Sequence, residues 1–234
     1  MNLKVHYSSS KGNLCEIQDH DAGRLLLDCG GSYKMVMRAL GDLHDIHGCI
    51  ISHYHADHCK AFPKLVDLFG LDMYASNHTL TVLPLVGRSD KVHIVSDKPF
   101  SVGDYNITPF KTHHDVDGSI GCIIEYDGKH ILWATDTSHI TESWDIPFQA
   151  IALECSWDRD LVDAGLADGS MNDFYANRLR TTHMERSNTM KYLKDCCDLS
   201  MCREIHLLHM SGHMDKEKVR AEFEAKLTVP TFAK

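Results

Sequence analysis

The sequence predicts a layered α/β domain. Strand-like runs dominate its first part, helical runs flank them and take over toward the end, and candidate ligand residues stand where strand-like runs finish. Proline and glycine are scattered, and no internal repeat or low-complexity linker is visible, so residues 1–234 are expected to form one domain.

Asn13 to Gln18 and Arg24 to Asp28 are apolar-rich runs separated by Asp19-His20-Asp21-Ala22-Gly23, a turn-rich stretch that predicts a hairpin. Tyr33 to Leu40 places Met35, Val36, Ala39 and Leu40 at helical spacing. Ile46 to Ser52 is expected as a buried strand that runs straight into a histidine cluster, and Ala61 to Phe69 as an amphipathic helix. Lys91 to Val95, Tyr105 to Thr112, Ile120 to Tyr126 and His130 to Ala134 all suit extended chain, with Asp127-Gly128 as a two-residue turn. Ala150 to Cys155 is a further short buried run. From Asn172 the pattern turns helical, broken by the strand candidate Glu204 to Leu208 and closed by a helix from Lys216 to Leu227.

Composition narrows the function classes. An apolar share of 43% over 234 residues supports a substantial core. The longest apolar runs are far too short to span a bilayer, so no membrane partner is expected. The first residues, Met1-Asn2-Leu3-Lys4-Val5-His6, lack a signal-peptide pattern, and the expected location is cytoplasmic. Nine cysteines without a C-x-x-C pair suit reduced thiols, and Cys29, Cys49, Cys122 and Cys155 read as small buried hydrophobes. A net charge of −9 disfavours binding of nucleic acid through a broad basic face. It does not disfavour a nuclease that places divalent cations at the phosphate.

The stretch ISHYHADHCK, residues 51–60, reads His53-x-His55-x-Asp57-His58. It follows a strand candidate and precedes a helical one, where alternate side chains of a loop converge. Imidazole and carboxylate together suit zinc and other borderline divalent ions. Three later strand candidates also end in potential ligands: His113, His114 and Asp115 after the run to Thr112, Asp136 after the run to Ala134, and His209 after the run to Leu208.

This pattern resembles the metallo-β-lactamase superfamily, whose signature is H-x-H-x-D-H followed by separate His, Asp and His motifs. SSSKGNLCEI, LLLDCGGS, THHDVDGSIGCIIE, WATDTSH, LECSWD, THMERSN and LHMSGHMD resemble, in order, segments of its YycJ/WalJ-type nuclease branch, with PhnP-like cyclic phosphodiesterases as kin. The resemblance implies a four-layer αββα sandwich and two divalent metal ions, zinc by expectation, with manganese or iron accepted by the same donors. His53, His55 and His114 would hold one ion and Asp57, His58 and His209 the other, with Asp136 bridging. His114 is preferred to His113 because the family's ligand directly precedes an aspartate. Asp28 would orient a ligand histidine.

The implied chemistry is phosphodiester hydrolysis through a metal-bridging hydroxide, with Asp57 and His183 expected to bear on the chemical step. The substrate would be a nucleotide or nucleic-acid phosphoester, and a homodimer is compatible with the resemblance. For His183 the plain alternative is a helix cap or surface histidine; for His139 and His213 a structural role is preferred. Thioester or other ester hydrolysis on the same scaffold is the rival enzyme class; lactam hydrolysis is disfavoured, because His58 and Asp136 stand where common zinc β-lactamases have Arg and Cys. SGHMD, TTHME and DTSH depart from the branch, which bears on substrate contacts. Arg178 and Arg180 are candidates to meet phosphate.

Overall fold

Leu3, Val5 and Tyr7 alternate with polar residues along Asn2–Ser9 (β1), a strand outside the expected elements although its period-two pattern is plain. In the computed structural model, which describes all 234 residues, the chain forms two compact units. One comprises Met1–Lys111 and Val116–Gly128, the other Thr112–Asp115 and Lys129–Lys234.

In the first unit β1 pairs antiparallel with Gly12–Asp19 (β2), which returns through the expected hairpin to Gly23–Leu27 (β3). Tyr33–Leu40 (α1) is the expected helix, begun by the Ser32 side chain accepting from the Met35 amide. Ile46–Ile50 (β4) then lies parallel to β3 and leads into a short helix, Ala56–Cys59 (α2). Phe62–Phe69 (α3) carries a proline in its first turn and ends at Gly70 in the left-handed region. Met73–Ser76 (β5), the helix Asn77–Val82 (α4) and Val92–Val95 (β6) complete a six-stranded sheet in the order β1 to β6. Leu14, Leu26, Ile51, Phe62, Leu65 and Val66 form the centre of its core. Phe100–Val102 (β7), Tyr105–Lys111 (β8) and Ile120–Tyr126 (β9) form an antiparallel ladder in the same unit. The pair Asp127 and Gly128 that follows has φ of 52° and 70°, as a tight turn of this type requires.

In the second unit Lys129–Ala134 (β10) pairs parallel with Trp144–Glu154 (β11). β11 is longer than the expected Ala150 to Cys155, because its first half carries polar residues and Pro147 and gave no apolar run. The helices Arg159–Ala167 (α5), Asp173–Thr182 (α6) and Arg186–Asp195 (α7) follow, opened by the side chains of Asp158, Asn172 and Glu185 respectively. α5 was not expected, since its Ala- and Gly-containing sequence gives little apolar periodicity. Cys197–Asp198 (β12) touches β11, Glu204–Leu208 (β13) lies parallel to β11, and Lys216–Leu227 (α8) leads to Thr231–Ala233 (β14) beside β13. Residues 131–134 of β10 and 150–153 of β11 are continuous buried apolar runs, as in the interior of parallel sheets. No cysteine is disulfide-bonded, and Cys29, Cys49, Cys122 and Cys155 are fully buried. No helix is long and apolar enough to cross a membrane.

One polar network braces the first sheet. The β1/β2 register shifts between Val5 and Tyr7, and the intervening His6 turns its Nε2 to Glu16 Oε2 at 2.7 Å. Arg24 Nε donates to the other carboxylate oxygen. Burial alone pushes the Glu16 carboxyl up, but the His6 and Arg24 contacts outweigh it and hold the group below its ordinary value of 4.5. A depressed carboxylate stabilises the fold above that value, and the contribution is lost as pH falls through the folded-state value. Glu16→Gln is therefore expected to unfold at lower urea than wild type at pH 7, and the gap is expected to close in titrations carried below pH 4.5.

Candidate functional site

In the first unit the histidine cluster begins where β4 ends. Asp28 follows β3 with φ of 62°, a left-handed backbone that short polar residues tolerate. This turns its buried carboxylate onto the neighbouring strand end, where it accepts from the Ser52 amide at 2.8 Å and from the Ser52 hydroxyl at 2.9 Å. His58 Nδ1 donates to the second oxygen at 2.6 Å. With its hydrogen committed to Asp28, the Ser52 hydroxyl accepts from His53 Nδ1 at 3.0 Å. These partners assign the tautomers: His53 and His58 both carry hydrogen on Nδ1 and present the lone pair of Nε2. His53 Nε2 lies 3.0 Å from His55 Nδ1, and the His53 and His58 rings lie 4.1 Å apart. Asp57 sits in the first turn of α2 beside His58, with Oδ2 3.5 Å from His58 Nε2.

Asn13, which the sequence reading quoted but gave no role, ties this loop to the β1–β2 hairpin. Its oxygen accepts from Ser8 Oγ at 2.8 Å and the Ser9 amide at 3.1 Å, while its NH2 group faces His58 Nε2 at 3.0 Å and the Asp57 carbonyl at 3.3 Å. Gly30 is held to glycine by the same packing. A β-carbon there would stand 1.6 Å from the Asp57 carbonyl oxygen and 2.7 Å from the Asn13 nitrogen, both backbone atoms. Gly30→Ala is expected to displace the loop that carries Asp57 and His58, lower stability by about 3 kcal/mol and weaken any metal uptake by that loop. Urea unfolding and a metal titration of the purified variant check both effects.

In the second unit Asp136 and His209 also follow strands with left-handed backbone, φ of 44° and 53°. Such strand-end conformations are a common device for aiming side chains at a site. Asp136, Glu154, His183 and His209 bring four donor atoms within 4.8 Å of one another. Glu154, at the end of β11 and fully buried, accepts from His183 Nδ1 at 2.6 Å and lies 3.3 Å from His209 Nδ1. It also accepts from the Thr137 amide. Burial pushes Glu154 up, yet the neighbouring histidines hold it below the ordinary carboxylate range. Burial likewise lowers His183, and the Glu154 charge and hydrogen bond override it to raise His183 above its ordinary value. His114 Nδ1 donates to the Thr182 carbonyl at 3.0 Å, which leaves Nε2 3.6 Å from Asp136 Oδ2.

His183 is the residue after α6, and its amide caps that helix through Leu179 at 3.1 Å. Its ring is nevertheless buried against Glu154 rather than exposed. His113 stacks on His139 with ring centres 4.0 Å apart. Arg178 pairs with Asp115 at 3.0 Å and Arg180 with Asp163 at 2.7 Å, so each guanidinium has a carboxylate partner within the protein. His213 is exposed. Sequence reasoning gave no function to Glu154 and Ser52. Glu154 stood in LECSWD, but a glutamate at a strand end carries no ligand spacing of its own.

The donor chemistry fits divalent ions. His53, His58, His114 and His183 each spend Nδ1 on an oxygen acceptor, the arrangement that fixes an imidazole to offer Nε2 to a metal or to a reacting proton. Carboxylates stand beside them in each unit.

Residues 23–210 match the Beta-lactamase superfamily domain. Exodeoxyribonuclease YycJ of Bacillus anthracis is 25% identical over 150 residues, 61% of this chain and 56% of that protein. The chain thus spans about half the length of that relative. The metallo-β-lactamase fold protein YhfI of Bacillus subtilis superposes with a TM-score of 0.74 at 17% identity, over 99% of this chain and 95% of its own. Zinc-bound PqqB of Methylobacterium extorquens gives 0.73 at 15% identity, over 100% and 97%. These structural likenesses establish an α/β metallo-β-lactamase fold. With the family match running over most of its length, the chain belongs to the β-lactamase superfamily.

Proposed function

We propose that residues 1–234 act as one metal-dependent phosphodiesterase domain on a nucleotide or nucleic-acid phosphoester. The observation that carries this reading is the common orientation of His53, His58, His114 and His183, each locked through Nδ1 to an oxygen so that Nε2 is the reactive nitrogen. The proposed ligands are His53, His55 and His114 for one ion, Asp57, His58 and His209 for a second, and Asp136 for both. Nitrogen and oxygen donors of this kind suit zinc, and zinc-bound PqqB shares the fold. The family match across both units supports the single domain, and the free cysteines suit a reducing cytoplasm.

Held by these residues, two divalent ions would supply an acidified water and would draw charge from a phosphoryl oxygen. The protein's own groups prepare the rest. Asp28 and Ser52 hold His58 and His53 in one tautomer. Glu154 fixes the His183 hydrogen on Nδ1, so that Nε2 is where a proton passes to the leaving oxygen. A phosphoester is favoured over a thioester by the exodeoxyribonuclease relative and by the proton donor that an alkoxide leaving group needs.

The test is a panel of end-labelled single-stranded DNA, RNA and cyclic nucleotides, with a glutathione thioester alongside, offered to zinc-reconstituted protein. Chelator-sensitive cleavage of one or more phosphoesters is expected. Thioester turnover with every phosphoester untouched rejects the reading.

A further inference from the structure

Beside the second-unit cluster lies a cavity of about 300 Å³, at the small end of the range for small-ligand sites. It is lined by α5, by α6 and its preceding loop, and by the loop that follows His209. Its walls are built onto the same backbone as the cluster. Trp157 Nε1 donates to the His183 carbonyl at 2.9 Å, which fixes the indole in the wall. Ser211, two residues after His209, donates its amide to Ser156 at 2.9 Å. Tyr175 stands on the helix that His183 ends, and it lines the same space with Leu161 and Met171. Leu161 and Tyr175 are each 43% exposed, so the apolar lining reaches solvent.

The polar groups of the cavity narrow the class of ligand. No lysine or arginine lines it, which disfavours a phosphate there. Asp158 is engaged by Arg186 Nε at 3.0 Å and by the amides of Asp160 and Leu161, and Asp168 accepts from the Ser170 amide at 2.9 Å. Neither carboxylate is idle for a cationic ligand. What is left is an indole, a phenol and two thioethers, with hydrogen-bonding groups on Ser211 and His213. Aromatic faces with hydrogen-bonding edges and no free charge of Lys, Arg, Asp or Glu suit a flat, uncharged heteroaromatic ring.

We propose that this cavity is a nucleobase subsite for the substrate whose phosphate is handled by the neighbouring cluster; in placing that phosphate it rests on the phosphodiesterase reading. Tyr175 and Trp157 supply the ring contacts. Tyr175 is the residue whose loss is felt most, because Trp157 is already packed into the protein.

Calorimetric titration of zinc-supplemented protein with the four nucleoside 5′-monophosphates and with ribose 5-phosphate tests this. At least one nucleotide is expected to bind about tenfold more tightly than ribose 5-phosphate, the scale of one base–aromatic stack. Tyr175→Ala is expected to remove most of that advantage, and Leu161→Trp, which fills the mouth, to remove it as well. Equal affinity of every nucleotide and ribose 5-phosphate for wild type overturns the subsite, as does an advantage that survives both substitutions. Hydrolysis of bis(p-nitrophenyl) phosphate by wild type is read separately. Its absence rejects the phosphodiesterase reading, while the base-dependence of binding still decides the subsite.

Discussion

Asp57→Ala is expected to lower kcat/KM for bis(p-nitrophenyl) phosphate by at least about 10³-fold, the loss that follows when several kcal/mol of metal-borne charge stabilisation is withdrawn. Asp57 sits in the first turn of α2, 3.5 Å from His58, and its side chain is partly exposed. Truncation removes a proposed ligand without opening a core cavity. Circular dichroism and the urea midpoint should therefore stay close to wild type while bound metal falls by about one ion per chain. Metal analysis of the purified variant separates this from misfolding. Full activity in a variant that folds would remove Asp57 from the site.

His183→Ala is expected to cost about 10²–10⁴-fold, the usual contribution of a positioned acid or base. The loss should depend on the leaving group. With a p-nitrophenolate leaving group, which departs without help, the variant should keep most of its activity; with a nucleoside alkoxide the full loss should appear. A merely structural histidine would lower both rates alike. Glu154→Gln tests the same link from the other side. It keeps the shape beside His183 but loses the charge that raises its pKa, and a loss of about 10- to 100-fold is expected.

Much of the fold was legible because strand and helix periods are explicit where one face is buried. Tyr33–Leu40 and Lys216–Leu227 run over the residues that their apolar spacing predicts. Elements stabilised by caps and neighbours rather than by their own pattern were not legible. α5 is begun by Asp158 over a weakly apolar stretch, and α2 is a single turn inside the ligand motif, so Asp57 and His58 stand on a helix rather than in an open loop.

The site divides the same way. Several candidates were visible because a strand-like run finishes just before them, and at Asp136 and His209, as at the orienting Asp28, that position takes a left-handed backbone. The residues that orient them were harder to see. Asn13, Ser52 and Glu154 act through hydrogen bonds to groups that are distant or mute in sequence, as in the contact of Glu154 with His183 across 29 positions. Gly30 was visible as a glycine after LLLDC, but its cause, the Asp57 carbonyl against its α-carbon, exists only in the folded chain.

The central claim is tested most directly by adding zinc to chelator-stripped protein while following bis(p-nitrophenyl) phosphate hydrolysis and bound metal together. Turnover that rises with occupancy and levels off near two ions per chain is the predicted result. Tight binding of zinc, manganese or iron with no turnover at any occupancy would contradict it.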